Sequence, residues 1–261
     1  MSRLPVLFVS HGAPTLPLES SAAHDFLAGL GAALDRPRAI LAVSAHWETG
    51  QPAVSTAIQP ETIYDFHGFP QALYRLRYPA PGAPQLAARV AGLLAAGEMP
   101  ARLDAQRGLD HGAWTPLILM YPQADMPVTQ LSIQPQAGAE YHLKLGEALR
   151  PLRDEGVLIL ASGSVTHNLR EFRGSAGRDA RPPAWVTEFN EWLAAVLIEG
   201  RQADLCAYRS RAPHAARNHP TEEHLLPLFV AAGAGGTEFK AQRLHSSYAY
   251  GVIGMDAYRF D

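Results

Sequence analysis

Three apolar runs in this chain lead to a histidine: VLFVSH at Val6–His11, ILAVSAH at Ile40–His46 and LILASGSVTH at Leu158–His167. Short runs that stay apolar position after position, rather than at alternate residues, belong to strands buried on both faces. The spacing predicts strands at Val6–Ser10, Ala39–Ala45, Val128–Ile133 and Val157–Ser162. Between and after them lie amphipathic stretches that read as helices near Pro84–Ala96, Ala113–Tyr121, Ala139–Arg153, Pro183–Glu199 and Thr221–Ala232. Strands alternating with helices of this length define an α/β fold with a central mixed, mostly parallel sheet flanked by helices.

The segment Gln51–Pro84 is too apolar for a linker and too rich in proline for one helix, so it reads as a packed excursion over one end of the sheet. The tail Phe239–Phe260 reads as a closing pair of strands around Tyr248–Gly251. With no internal repeat or low-complexity tract, residues 1–261 are expected to form one domain. The single cysteine, Cys206, excludes an intrachain disulfide and thiolate zinc sites, and favours a reducing, cytoplasmic setting. A net charge of −3, with no run of Lys or Arg longer than two residues, excludes a nucleic-acid footprint. Neither a membrane span nor a targeting segment is visible, so no membrane partner is expected.

Eleven histidines are present, and their positions matter more than their number. Ligand sites in open α/β sheets gather beyond the carboxyl ends of strands. His11, His46 and His167 each follow such a strand, so three imidazoles distant in sequence are placed to converge on a metal. His111, in LDHGAW, lies where Asp110 would cap a helix, which makes it either a first-turn surface residue or a hydrogen-bond donor at the edge of the site. His224, in HPTEEHLLPLF, falls within the helix expected to start at Thr221, as a core histidine or a ligand held by packing. His24, His142, His214 and His245 read as polar or helix-surface residues. His219 reads as a loop residue that stands close enough to support His224. His67, in YDFHGFP, either reaches the pocket or faces solvent.

These residues lie in segments that resemble the class III extradiol dioxygenase superfamily, in its DOPA 4,5-dioxygenase-like branch. The resemblance is carried in order by SHGAP at Ser10–Pro14, SAHW at Ser44–Trp47, YDFHGFP at Tyr64–Pro70 and LRYPAPG at Leu76–Gly82. It continues through DHGAW at Asp110–Trp114, VTQLSI at Val128–Ile133, SGSVTHNL at Ser162–Leu169 and HPTEEHLLPL at His219–Leu228. It implies one divalent metal ion per chain, Fe(II) for activity, with zinc able to occupy the site in isolated protein. By motif, His11, His46 and His224 correspond to the metal ligands. His167 corresponds to an active-site histidine sometimes counted as a fourth ligand, and His111 to one that stands beside the metal. The wider superfamily has a glutamate as third ligand where this chain has His224, with Glu222 and Glu223 beside it, so the choice among the three stays open. His67 stands where the branch has glycine.

The implied reaction opens a catechol ring with O2. Three protein ligands on one face leave positions for both diol oxygens and for O2. A base must take a proton as the diol binds, and an acid must return one as the O–O bond breaks. Histidine suits both roles, with an ordinary pKa of about 6.5. The expected assignment is His167 as the acid–base group and His111 as the group hydrogen-bonded to bound oxygen. Ala13, Pro14, Trp47, Phe66 and Phe69 are expected as pocket walls. A zinc hydrolase using the same histidines is the alternative, although the chain lacks HExxH. A serine hydrolase is disfavoured by the absence of a GxSxG elbow. A metal-binding protein without catalysis would not need the aromatic loops.

Overall fold

Side chains of the first strand alternate between two hydrophobic cores: Val6 and Phe8 enter one, Leu7 and Val9 the other. Leu41 and Val43 alternate with Ile40 and Ala42 in the same way, as do Ile159 and Ala161 with Leu158 and Leu160. Strands with two apolar faces need a layer of helices on each side. The computed structural model, which describes residues 3–172, 177–236 and 238–261, has that arrangement.

The strands are β1 (Val6–Ser10), β2 (Ala39–Glu48), β3 (Ala53–Ser55), β4 (Arg102–Asp104), β5 (Val128–Ile133), β6 (Val157–Gly163), β7 (Ala241–His245), β8 (Tyr248–Ala249), β9 (Ile253–Gly254) and β10 (Ala257–Phe260). Eight form one sheet in the order β4-β3-β5-β2-β6-β1-β10-β7, and β8 and β9 pair separately as a hairpin. The central strands β5, β2, β6 and β1 are parallel, and β10 and β7 add antiparallel at one side. Helices Pro84–Ala96, Gly138–Leu149, Ala184–Glu199 and Leu226–Gly235 cover the first core. Helices Ala22–Leu30 and His111–Met120 cover the second. Among the described residues no helix is long and apolar enough to cross a membrane.

Several boundaries differ from the sequence reading, each for a local reason. β2 runs on to Glu48, so His46 lies inside the strand, where the pairing with β5 becomes irregular between Val43 and Glu48. The helix expected over Ala139–Arg153 stops at Leu149 and tightens into a 3-10 segment at Arg150–Glu155, where Pro151 lacks the N–H an α-helix requires. The helix expected from Thr221 begins at Leu226, because Pro227 fits a first turn and not a helix interior. His224 therefore sits in the turn ahead of that helix. The tail supplies the small hairpin expected around Tyr248–Gly251 and, in addition, two strands of the main sheet.

His142 departs most from expectation. It is fully buried, not on the helix surface, because its face of Gly138–Leu149 packs inward. Its Nδ1–H donates to the Gly138 carbonyl at 2.6 Å, and its Nε2 accepts from the Gln134 N–H at 3.1 Å. Only the neutral ring can do both. Burial pushes its pKa from 6.5 down to about 4. The unfolded chain thus binds the proton first as pH falls, so the stabilisation is whole above about pH 6.5 and is lost between there and about pH 4. Glutamine can make both hydrogen bonds without titrating. His142→Gln should lose about 2 kcal/mol less stability than the parent between pH 7 and pH 5, measured by urea unfolding of metal-free protein. An unchanged pH dependence would contradict this.

Candidate metal centre

Because β1, β2 and β6 are parallel neighbours, their carboxyl ends share one edge of the sheet, and the histidines gather there. His11 follows β1 and its backbone N–H donates to the Gly163 carbonyl at 3.0 Å. His46 projects from the end of β2, with its N–H on the Ser44 hydroxyl at 3.1 Å. His111 opens the helix His111–Met120, capped by Asp110. His167 lies in the loop after β6, with its N–H on the Asn218 carbonyl at 3.0 Å. The His224 carbonyl accepts from the Ser164 N–H at 2.8 Å, which ties the His224 turn to the same edge. A Cβ on Gly163 would overlap that carbonyl oxygen, so the close approach requires glycine there.

All five histidines line one cavity of about 460 Å³. The donor atoms of His11, His46 and His111 lie within 4.8 Å of one another, a cluster able to hold a metal ion, and those of His167, Glu223 and His224 form a second such group. His46 joins the two: its Nε2 is 3.1 Å from that of His11 and 3.2 Å from that of His224. His167 stacks on His224, with ring centroids 3.4 Å apart and planes 10° from parallel.

The far nitrogens explain why the near ones face each other. His224 Nδ1 lies 2.9 Å from the Glu223 carboxylate, and His46 Nδ1 lies 3.3 Å from that of Asp65. Asp65 also accepts from Nδ1 of His111 at 2.9 Å and from its backbone N–H at 3.0 Å. His11 Nδ1 is 3.0 Å from the Ser162 hydroxyl, whose own hydrogen goes to the Gly112 carbonyl. Ser162 can then only accept, so His11 carries its proton on Nδ1. In His11, His46 and His224 the Nε2 lone pair is left pointing into the cluster. Burial, followed by repulsion from neighbouring imidazoles, holds His11 and His224 well below the ordinary histidine value. His46 and His167 are brought to about 4, again mainly by burial. The rings are neutral near pH 7, and clustered lone pairs of this kind suit a cation. Two imidazole nitrogens each about 2.1 Å from one ion sit roughly 3.0–3.4 Å apart, which matches the separations seen here.

A buried carboxylate braces the cluster from behind. Asp110 accepts from the Ser44 hydroxyl at 2.6 Å, from Arg107 at 2.6 Å and from Gln130, and Arg107 also donates to the His46 carbonyl at 3.2 Å. His219 is buried behind the site, with Nε2 on the Val165 carbonyl at 2.9 Å, and supports the loop that carries His167. Glu222 is turned away and accepts from the Tyr208 hydroxyl at 2.6 Å. His24, His214 and His245 lie outside the site on the Leu16 carbonyl, Glu188 and Phe26 respectively. His67 is exposed. Of the expected walls, Ala13, Pro14, Phe66 and Phe69 line the cavity. Trp47, the next residue along the strand from His46, instead lies under the Arg107 guanidinium at 5.0 Å. Asp65 and Ser162 lie within the motifs that carry the resemblance, but no spacing marks either as part of the site. An acid set among aromatics in YDFHGFP was the available signal for Asp65.

Residues 5–261 match the family described as the catalytic LigB subunit of aromatic ring-opening dioxygenase. The chain belongs to that family. This extradiol ring-opening dioxygenase is 44% identical over 257 residues to a Beta vulgaris protein named 4,5-DOPA dioxygenase extradiol, covering 97% of this chain and 95% of the relative. An Escherichia coli K12 protein of the same name is 45% identical over 237 residues, covering 89% of this chain and 86% of the relative. The crystal structure of an uncharacterized protein from Escherichia coli K12 superposes with a TM-score of 0.83 at 36% identity, over 99% of this chain and 100% of that one.

Asp65 holds two imidazoles of the cluster, those of His46 and His111, and partners of this kind typically carry about 10–100-fold in metal affinity. Asp65→Asn in this dioxygenase should bind divalent metal about 10–100-fold more weakly while keeping its circular dichroism spectrum. Affinity equal to the parent in a competitive chelator titration would show that Asp65 does not orient the cluster.

Proposed function

We propose that the chain uses one divalent metal ion, Fe(II) in the active form, to open the ring of a catechol, DOPA-like or otherwise substituted, with O2. The observation that carries this reading is the set of three Nε2 atoms of His11, His46 and His224, aimed at one another with every Nδ1 engaged elsewhere. These three are the proposed ligands, and Glu223 is the hydrogen-bond partner of His224, not a ligand. A redox-active ion bound there would hold the diol and exchange electrons with O2, a role that zinc, having no accessible redox change, would not fill.

His167 has the position for proton transfer. The His167 ring lies face to face on the His224 ring, with centroids 3.4 Å apart, and would stand beside an ion held by His11, His46 and His224. In this arrangement His167 is a neighbour of the ion and not a fourth ligand. As a neutral imidazole it accepts a proton from a diol hydroxyl and can return it later in the cycle. His111 commits Nδ1 to Asp65 and leaves Nε2 to meet bound oxygen atoms. Ala13, Pro14, Phe66 and Phe69 shield the reacting groups from water.

The alternative, a zinc hydrolase, requires the same histidines but no oxygen consumption. Protein stripped of metal and reloaded anaerobically with Fe(II) should consume O2 in a catechol-dependent manner, whereas zinc-loaded protein should not. Iron-loaded protein that consumes no oxygen with any catechol in a broad panel would reject the dioxygenase reading. His46→Ala should lose stoichiometric metal. His167→Ala should keep metal and catechol binding while turnover falls by about 10²–10⁴, the usual worth of a positioned proton-transfer group. Loss of metal together with turnover would make His167 a ligand, and near-parental turnover would remove it from the reaction.

A further inference from the structure

The histidines form only one part of the cavity wall. Most of the rest is apolar. Phe66 and Phe69 come from the excursion between β3 and β4, with ring centroids 5.4 Å apart, and Phe66 stands edge-on to His111 at 5.6 Å. Phe172, from the loop after β6, and Tyr250, from the β8–β9 hairpin, form a second edge-to-face pair at 5.1 Å. Leu169 and Ile253 complete this side. Leu169 and Phe172 stay 58% and 39% exposed. Apolar side chains held open to solvent beside a reactive centre gain by being covered, and a ligand that covers them gains equally. The cavity, at about 460 Å³, falls in the usual range for sites that enclose a whole small molecule, so a bare catechol would leave much of it unfilled.

Asp65 is the carboxylate on this wall, and it is already engaged by His46 and His111. Among the described residues no Lys or Arg lines this cavity, so a substrate carboxylate set among its apolar side chains would lose water without gaining a cationic side chain as partner. From these features we infer that the preferred substrate is a catechol with an uncharged apolar substituent, alkyl or aryl, para to one of its hydroxyls. Resting on the ring-opening reading of the site, the inference narrows its substrate class. Substituent carbons pack between the Phe66–Phe69 and Phe172–Tyr250 pairs while the diol faces the histidines. Each methylene buried there strengthens binding by about fourfold.

The test separates binding from turnover. Calorimetric titration of zinc-loaded protein with catechol and its 4-methyl, 4-ethyl and 4-propyl derivatives should show Kd falling by about fourfold per added carbon. A carboxylate-ended derivative of similar length, 3-(3,4-dihydroxyphenyl)propionate, should bind at least about tenfold more weakly than 4-propylcatechol. In Phe69→Ala and Phe172→Ala the ratio of 4-propylcatechol to catechol affinity should shrink. A flat alkyl series, or tighter binding of the carboxylate or of DOPA than of 4-propylcatechol, overturns the inference. Oxygen uptake by iron-loaded protein with the same compounds reports separately on the reaction. If no compound supports uptake while the alkyl gradient in Kd persists, the ring-opening reading fails and the apolar preference of the pocket stands.

Discussion

β6 lies between β1 and β2 with all three strands parallel, and the site follows from that pairing. The Cα register couples Ser10 to Gly163 and Ser44 to Ser162, so the chain leaves β1 and β6 at one level while β2 runs on beside them. His11 and His46, although 35 residues apart, meet at their Nε2 atoms. A one-residue slip of either strand would turn its side chains to the opposite face and separate the imidazoles. The register is held by burial, because Val6, Phe8, Leu41, Val43, Ile159 and Ala161 would all exchange cores in a slip.

The electrostatic arrangement is layered on this frame. Neutral imidazoles with facing lone pairs repel one another, and the folded chain tolerates them because each outer nitrogen has an oxygen partner. Asp65 bridges two of the rings, Glu223 holds a third and Ser162 a fourth. Asp65 itself is pushed up by burial, yet hydrogen bonding from His111 outweighs this and brings it to about 2. A cation drawn to the cluster thus meets neutral donors backed by negative charge, a common way to orient ligands and raise their basicity.

The four central strands and the strand-end histidines are legible because they depend on local pattern, whereas the three-residue strands β3 and β4 are too short to leave one. An apolar run of five or six residues marks a doubly buried strand whatever surrounds it, and the residue after it lies at the sheet edge. The Asp110 cap was legible for the same reason. His224 is legible as a candidate but not its placement, since the periodic run LLPLF hides the signal of Pro227, which sets the helix start at Leu226. Contacts made across the fold left no local trace. Asp65 and His111 are 46 residues apart and Ser162 and His11 are 151 apart, and neither pairing has a spacing rule. The burial of His142 is not legible, because a histidine in a helix shows its face only once the partner helix is known. Glu222 and Glu223 were inseparable in sequence, and the turn directs one to Tyr208 and the other to His224.

The central claim is that His11, His46 and His224 hold one ion from which His167 stands apart. Anomalous diffraction at the iron edge from crystals loaded anaerobically with Fe(II) tests it most directly. The expected result is one peak per chain, about 2.1 Å from each of the three Nε2 atoms and clearly farther from any nitrogen of His167. A peak bonded to the Glu223 carboxylate in place of His224, or equally close to His167, would contradict it.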